Sequence, residues 1–571
     1  MSAQISRPLG RRCLASVLVL FLLGLSAGAA QAAASDGPLA HRWFFVSRGL
    51  DSDQAVEKAC GLVDTAAAHG YTGMVYDPGF TGINEWPADW FPRLAKVKAH
   101  CDEKKIEIIP LVMSAGYGGG VHGIDRNLAE GLPVKGERYE VQGGVAKLVP
   151  DVAFSAAGGF EAAKGDEVRG LNAQDKPGKA TFLDTKEVKV GKGSLRLEPG
   201  QNGGKVRLTK SLTKPGRHYL VRFWAKADGL KPSRLEICVY NESFQIQQIE
   251  FRLPENGEWA KIEFPVLTAD NKETNVYIGT WNAKAGRFWI DGLEIAEPGL
   301  VNVLRRPGTP LVIAREGGEV FQEGKDYEKV VDPGLKPNQG YHTPPAIRII
   351  AGGKIKDGDR LSVSYFAPPL LRKGQVVLCM SEPAVYDIWH KAVRKVEETV
   401  HPRTWFLDMD EVRGGGTCQA CLDRKRPDGS HLAPGEILGD CITRQAAMIR
   451  EGSPKAEVAI WSDMLDPNHN AVPQFFNVPG GYVGSWKFMP KDLIIACWNL
   501  DTAEKSLAHF SGLGFRTLAA AYYDADDLDG TKKWLEWLAK TPKATGIMYT
   551  TWEEKFKLLP DFGDLVAKSA P

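Results

Sequence analysis

TWFLDMDEVRGGG, residues 404–416, is the stretch that decides how this chain folds. Its first four residues are an apolar run without strict alternation, the pattern of a strand covered on both faces, and we read the strand as TWFLDMDEV over 404–412. The next four deliver three carboxylates, Asp408, Asp410 and Glu411, and Arg413 with three glycines follows at once. A buried parallel strand that ends in acids and a pliant loop belongs to a sheet whose carboxyl edge carries chemistry. Crowded carboxylates at such a tip repel one another, so at least one has a raised pKa and keeps a proton near neutral pH. On an extended strand Asp410 and Glu411 would point to opposite faces. If the chain has left the strand by then, both can aim inward. An acidic cluster there also has a plain structural reading, as a helix cap or a partner for nearby bases.

Outward from this stretch the same texture repeats. Downstream lie AEVAIWSDM (456–464), LIIACWN (493–499), TLAAAYYD (517–524) and TGIMYTTW (545–552). Upstream lie WFFVSR (43–48), TGMVYD (72–77) and IEIIPLVM (106–113), with an amphipathic stretch over 53–69 between the first two. Strand alternating with helix at this pace predicts a parallel sheet with helical crossovers. Eight such strands predict an α/β fold, a (β/α)8 TIM barrel split into 41–148 and 375–571. The run QVVLCM, before an amphipathic helix over 384–400, either completes the third strand region or stands alone. Between the halves, helical periodicity gives way to alternating segments with Gly, Pro and Asn turns, which predicts an all-β insertion after strand 3. We divide it into a β-sandwich over 149–299 and a small accessory β unit over 300–368.

Active sites of such barrels form where strands end. Reading those ends gives Arg48, Asp77, Tyr117 and His122 in a glycine-rich loop, and Asp408, Asp410 and Glu411. The later strands add Trp461, Asp463, Trp498, Tyr522, Tyr523, Asp524, Trp552, Glu553 and Glu554. Acids and large aromatics on one rim suit a polyhydroxylated ring, whose apolar C–H faces stack on aromatic side chains.

At the N-terminus Arg7, Arg11 and Arg12 precede an apolar run over 14–25 and then Ala30-Gln31-Ala32. This predicts a cleaved signal peptide over 1–32 and a secreted or periplasmic protein. Cys13 lies before the apolar run, where it cannot serve as a lipid anchor, and no later stretch is apolar enough to insert in a membrane. With 71 basic and 70 acidic residues the net charge is +1, which gives no electrostatic reason to expect nucleic acid as partner. Of nine cysteines, eight remain after the leader. Cys418 and Cys421 have CxxC spacing, with His431 and Cys441 downstream, but a second CxxC or an HxxxH is missing. We therefore expect a disulfide or structural thiols and no metal.

The motifs D-x-D-E-V (408–412), W-S-D (461–463), I-A-C-W (495–498), Y-Y-D (522–524) and T-T-W-E-E (550–554) resemble, in that order, those of glycoside hydrolase family 20, the β-N-acetylhexosaminidases. Arg48 is similar to that family's substrate-binding arginine. The resemblance implies a retaining mechanism in which the sugar's own 2-acetamido oxygen attacks the anomeric carbon. Glu411 would then be the acid/base and Asp410 would orient the acetamido group. Tyr523 or Tyr522 would donate to the acetamido oxygen, and Trp461, Trp498 and Trp552 would wall the pocket. Arg48 with Glu553 or Glu554 would bind ring hydroxyls, and no cofactor is implied. In the insertion, GKGSLRLEPG, PGRHYLVRFWAKA and GRFWIDGLEIAEPG resemble jelly-roll carbohydrate-binding modules of families 4 and 9, with Trp289-Ile290-Asp291 on the closing strand. The expected partner is an oligosaccharide, polysaccharide or glycoconjugate. Two alternatives remain open: two separated carboxylates acting on sugars without an acetamido group, and a non-catalytic polysaccharide-binding protein.

Overall fold

The computed structural model describes residues 37, 39–160, 165–173, 178–200, 203–208, 214–241 and 244–569. The leader read over 1–32 lies outside them. Among the described residues no helix is long and apolar enough to cross a membrane.

Eight parallel strands close into a barrel in chain order: β1 (His41–Ser47), β2 (Gly73–Asp77), β3 (Glu107–Val112), β4 (Thr404–Leu407), β5 (Glu457–Trp461), β6 (Ile494–Cys497), β7 (Arg516–Ala520) and β8 (Ala544–Tyr549). β8 returns to pair with β1, and β3 pairs directly with β4 across the insertion. Side chains alternate across each strand. One set, including Trp43, Phe45, Ile109, Leu111, Phe406, Trp461 and Met548, fills a separate apolar cluster. The other set, including Phe44, Met74, Trp405, Ile460 and Ile547, packs in a larger core with the helices. Two-sided burial is why these strands read as unbroken apolar runs.

The helices α1 (Asp53–Ala68), α2 (Trp90–Lys104), α3 (Pro383–Val400), α4 (Pro434–Gly452), α5 (Ala503–Gly512), α6 (Asp529–Lys540) and α7 (Leu559–Ser569) fall between or after these strands. α3 shows the logic. Pro383 occupies its first turn, where a missing N–H costs nothing, and Val385, Tyr386, Trp389, Ala392, Val393, Val396 and Val400 form one buried stripe. The barrel departs from one helix per strand between β5 and β6. There the described chain holds only short 3-10 turns, at Asp463–Leu465 and Ser485–Lys487. QVVLCM is not a barrel strand; Leu378 makes an isolated bridge to Ala129.

The insertion holds three sheets. Two antiparallel sheets, in strand order 245–252, 234–240, 275–280, 204–208, 171–173 and 260–267, 218–228, 287–296, 194–197, 181–184, share one core that includes Val221, Phe223, Ile237, Phe264 and Ile290. In the third, Leu132–Gln142 and Val145–Leu148 pair with Arg360–Ala367 and Ile347–Arg348. This differs from the boundaries read in sequence: 132–148 leaves the barrel segment and joins the accessory unit. The reason is visible in Leu132–Gln142, whose alternating burial is that of a half-exposed antiparallel strand. Trp289 and Asp291 have structural work in the sandwich. Trp289 Nε1 donates to Asp184 Oδ2 at 3.0 Å, and buried Asp291 Oδ2 accepts from Lys189 N and Val190 N at 2.6 and 2.8 Å.

Candidate active site

β4 ends at Leu407, so the acids that follow lie on a loop. Asp408 N still reaches Val112 O at 2.9 Å, as a last link to β3. Glu411 then takes a left-handed backbone, φ 47°. A non-glycine residue there is strained, and such residues cluster at functional sites. The turn lets neighbouring Asp410 and Glu411 face one cavity of about 880 Å3 instead of opposite sides of a strand. Met113, Asp524 and Glu554, just past β3, β7 and β8, share this conformation at φ 58°, 54° and 55°.

The two carboxyls are pushed in opposite directions. Burial, then the charges of Asp408, Asp463 and Glu411, raises Asp410 well above the carboxylate range, and its Oδ1 has no hydrogen-bond partner. Asp408 is likewise raised by burial and by Asp77. Burial also acts to raise Glu411, but Arg413 and Tyr117 outweigh it and hold Glu411 below its ordinary value. Arg413 Nη2 lies 2.7 Å from Glu411 Oε1, and Tyr117 Oη donates to Oε2 at 2.5 Å. Arg413 is itself fixed by Gln375 Oε1 at 2.9 Å, and Gln375 Nε2 donates to Glu411 O at 2.9 Å. Asp463 Oδ2 accepts from Glu411 N at 2.9 Å and Asn470 Nδ2 at 3.0 Å, so it anchors the strained turn. These surroundings favour the protonated form of Asp410 and the anionic form of Glu411, which sits in a cationic clamp.

Around this pair the cavity has aromatic walls. Trp498 and Tyr523 stack at 5.8 Å with 7° between their planes, and Trp461 and Trp552 meet at 5.9 Å. Tyr117, Tyr523 and Trp552 are 48%, 55% and 46% exposed, which gives the cleft an apolar rim open to solvent. Buried Trp461 Nε1 has no hydrogen-bond partner. His122 also lines the cavity, and burial pushes its pKa down to about 4, so it is neutral.

Of the residues read from sequence, Tyr117, His122, Asp410, Glu411, Trp461, Trp498, Tyr523 and Trp552 line the cavity together. The others do not. Tyr522 is buried in the core packed with the helices, stacks on Tyr549 at 4.3 Å and donates to Ala525 O at 2.7 Å. Asp524 fastens the β7 and β8 loops by accepting from Thr551 Oγ1, Trp552 N and Glu553 N. Arg48 pairs with Glu554 at 2.8 Å, and Glu553 pairs with Lys555 at 2.9 Å. Asp77 accepts from Gly79 N and Ser47 Oγ, and Asp408 stands behind Asp410. Sequence reading missed Arg126, Asn338, Arg372, Gln375, His469, Asn470 and Phe476, which also line the cavity. They come from loops and from the insertion's return, where no periodicity marks them. Arg413 alone carried a signal, two residues beyond Glu411.

No family model matches the sequence, and no curated protein matches it significantly. Among solved structures the chain is similar to the rhamnosidase from Novosphingobium sp. PP1Y, at 11% identity over 93% of this chain and 59% of that one, with a TM-score of 0.34. About a quarter of the chain is similar to the CBM22-1 xylan-binding domain from Paenibacillus barcinonensis Xyn10C, at 17% identity over 25% of this chain and 93% of that domain, with a TM-score of 0.21. The N-terminal cellulose-binding domain of a Cellulomonas fimi β-1,4-glucanase is similar at 18% identity over 23% of this chain and 90% of that domain, with a TM-score of 0.17. Likeness this remote assigns no function, and the resemblance to family 20 stands on the rim residues alone.

Proposed function

We propose that the protein is a secreted glycoside hydrolase acting on β-linked N-acetylhexosamine, built as a (β/α)8 barrel with a jelly-roll insertion. The observation that carries this reading is the pair of adjacent carboxyls with opposed pKa shifts, facing one aromatic-walled cavity at the carboxyl rim of a parallel barrel. Pairs whose environments push their pKa values apart mark acid and base roles. Stacked Trp498 and Tyr523 suit the apolar face of a pyranose.

In this mechanism Glu411 is the acid/base, and Asp410 accepts the acetamido N–H while the acetamido oxygen attacks the anomeric carbon. The resting site holds the proton on the other partner, so substrate must move it. An amide N–H donated to Asp410 favours its ionised form, and a sugar covering Glu411 disfavours a charge there. Both effects drive the proton from Asp410 to Glu411, which then protonates the leaving oxygen. Tyr523 would donate to the acetamido oxygen; it lines the cavity, whereas Tyr522 is engaged with Ala525 O.

The resting protonation also favours a second reading, in which protonated Asp410 is the acid and anionic Glu411 acts on a sugar without an acetamido group. Chromogenic β-GlcNAc and β-GalNAc glycosides, assayed with wild type, Asp410→Asn and Glu411→Gln, test the proposal. Turnover that is inhibited by a thiazoline and collapses in both variants supports the first reading. Turnover only on sugars lacking the acetamido group selects the second. A folded wild type inert on all of these removes both.

A further inference from the structure

Four side chains that the candidate active site leaves unused meet in one buried cluster: Glu130, Cys379, Cys418 and Cys421. Their exposures are 1%, 0%, 0% and 2%. Cys379 Sγ lies 3.3 Å from Cys418 Sγ and 3.8 Å from Cys421 Sγ, and the latter two are 3.8 Å apart. Glu130 Oε2 lies 3.7 Å from Cys418 Sγ and 3.6 Å from Cys421 Sγ. A tetrahedral zinc with bonds of about 2.3 Å to sulfur and about 2.0 Å to oxygen sets its ligands roughly 3.5–3.8 Å apart along each edge. Four edges of the cluster, at 3.6–3.8 Å, match this, Cys379 Sγ to Cys418 Sγ is shorter at 3.3 Å, and all four ligand atoms lie within 4.8 Å of one another. A disulfide needs sulfurs about 2.05 Å apart, and all three cysteines are free thiols.

We propose that Glu130, Cys379, Cys418 and Cys421 bind one zinc ion in a closed, structural site. The surroundings are built for it. Glu130 Oε1 accepts from Thr417 N at 2.8 Å, Thr417 Oγ1 at 2.7 Å and Cys418 N at 2.9 Å, which turns Oε2 toward the three sulfurs. Arg306, 5% exposed in its side chain, donates to Cys418 Sγ at 3.5 Å and offsets part of the negative charge of three thiolates and a carboxylate around a dication. Arg306 is itself ion-paired with Glu382 at 2.8 Å, so it offsets only part of that charge. Three thiolates and one carboxylate in tetrahedral array select zinc over hard cations such as magnesium or calcium. Binding releases to solvent the protons that the thiols carry. Four protein ligands leave no open position, so the ion fastens the fold and takes no substrate.

The site joins three segments that sequence keeps apart. Glu130 precedes the insertion, Cys379 follows it, and Cys418 and Cys421 cap and enter the short helix Gln419–Leu422 that follows the loop carrying Asp410, Glu411 and Arg413. His431 and Cys441, the downstream partners suggested by spacing, are elsewhere: His431 bonds Leu422 O and Cys441 sits beside Tyr386. The ligands missing from the CxxC pattern are supplied by distant residues.

The test is metal analysis of the purified full chain with X-ray absorption at the zinc edge. The proposal expects one zinc per chain, with a first shell of three sulfurs at about 2.3 Å and one oxygen at about 2.0–2.2 Å. Cys421→Ser and Glu130→Gln should lose most of the zinc, whereas Cys60→Ser and Cys238→Ser should keep it. Should the cluster variants not fold, the wild-type absorption shell decides alone. A folded wild type that takes up no zinc from zinc-supplemented medium, a Cys379–Cys418 disulfide in peptide mapping, or a sulfur-free shell would each overturn it. None of these readouts uses glycoside turnover, so failure here is distinct from failure of the proposed hydrolase.

Discussion

Glu411 and Asp410 differ by one position and by everything around them. Tyr117→Phe removes one donor to the Glu411 carboxylate and so raises its pKa. A hydrogen bond to a charged group is worth about 1.5–3 kcal/mol, so the acidic limb of kcat/KM should move up by about one to two pH units. A pH–rate profile of the variant checks this, and an unmoved limb would exclude ionised Glu411 from the rate equation. Asp410→Asn and Glu411→Gln should each lower kcat by about 10²–10⁴, the usual worth of general acid–base groups. The crowding of acids at 408–411 was legible in sequence, as was a raised pKa among them. Which acid keeps the proton was not, because the answer depends on Arg413 and Tyr117 closing on Glu411 from outside the strand.

At the scale of elements, the strands were legible because two-sided burial writes an apolar run, and their C-terminal ends were overread because the run continues into the loops. TWFLDMDEV reads as a strand to residue 412, and the ladder stops at Leu407. The β5 to β6 crossover gave no warning that it spends its length on His469, Asn470 and Phe476 instead of a helix. The loop after β3 supports the acid loop by direct backbone contact. A Cβ on Gly116 would lie 2.3 Å from Asp410 O, which is backbone and cannot swing away. Gly116→Ala should therefore destabilise the protein by about 1–3 kcal/mol and depress kcat beyond what the lost stability explains. Thermal denaturation paired with kinetics on the folded fraction separates the two effects. Unchanged kcat would mean the acid loop tolerates the shift.

At the scale of the molecule, the buried acids predict how stability follows pH. Asp408 is raised by burial and Asp77 to about 7, and Asp77, Asp410 and Asp463 are raised as well. A carboxyl with a raised folded pKa binds its proton more tightly folded than unfolded, so its contribution is fully present below the unfolded value near 4 and is lost as pH rises through the folded value. Tm should rise as pH falls from about 8 to about 6.5, above the range in which buried His122 and His218, pushed down to about 4 and about 3, oppose it, and Asp408→Asn should flatten that slope; a wild-type Tm that falls over this range contradicts the assignment. The insertion matters to the cleft too. Arg372 and Asn338 lie on its wall, so Arg372→Ala should raise KM more than it lowers kcat, measured on the best glycoside found. Domain texture was legible from composition, but the edge near residue 148 was misplaced because Leu132–Gln142 pairs with a strand, Arg360–Ala367, more than two hundred residues away.

The two ends of the insertion run side by side: Glu130 N bonds Val377 O at 2.8 Å and Cys379 N bonds Leu128 O at 2.9 Å. To the barrel, everything between them is equivalent to the tip of a hairpin. Because loop-closure entropy grows only with the logarithm of length, the barrel gains little from a shorter excursion and loses little from a longer one. The graft point is thus a place where whole modules can be exchanged over evolutionary time while β3 and β4 keep their register, provided the stitch between 128–130 and 377–379 is preserved.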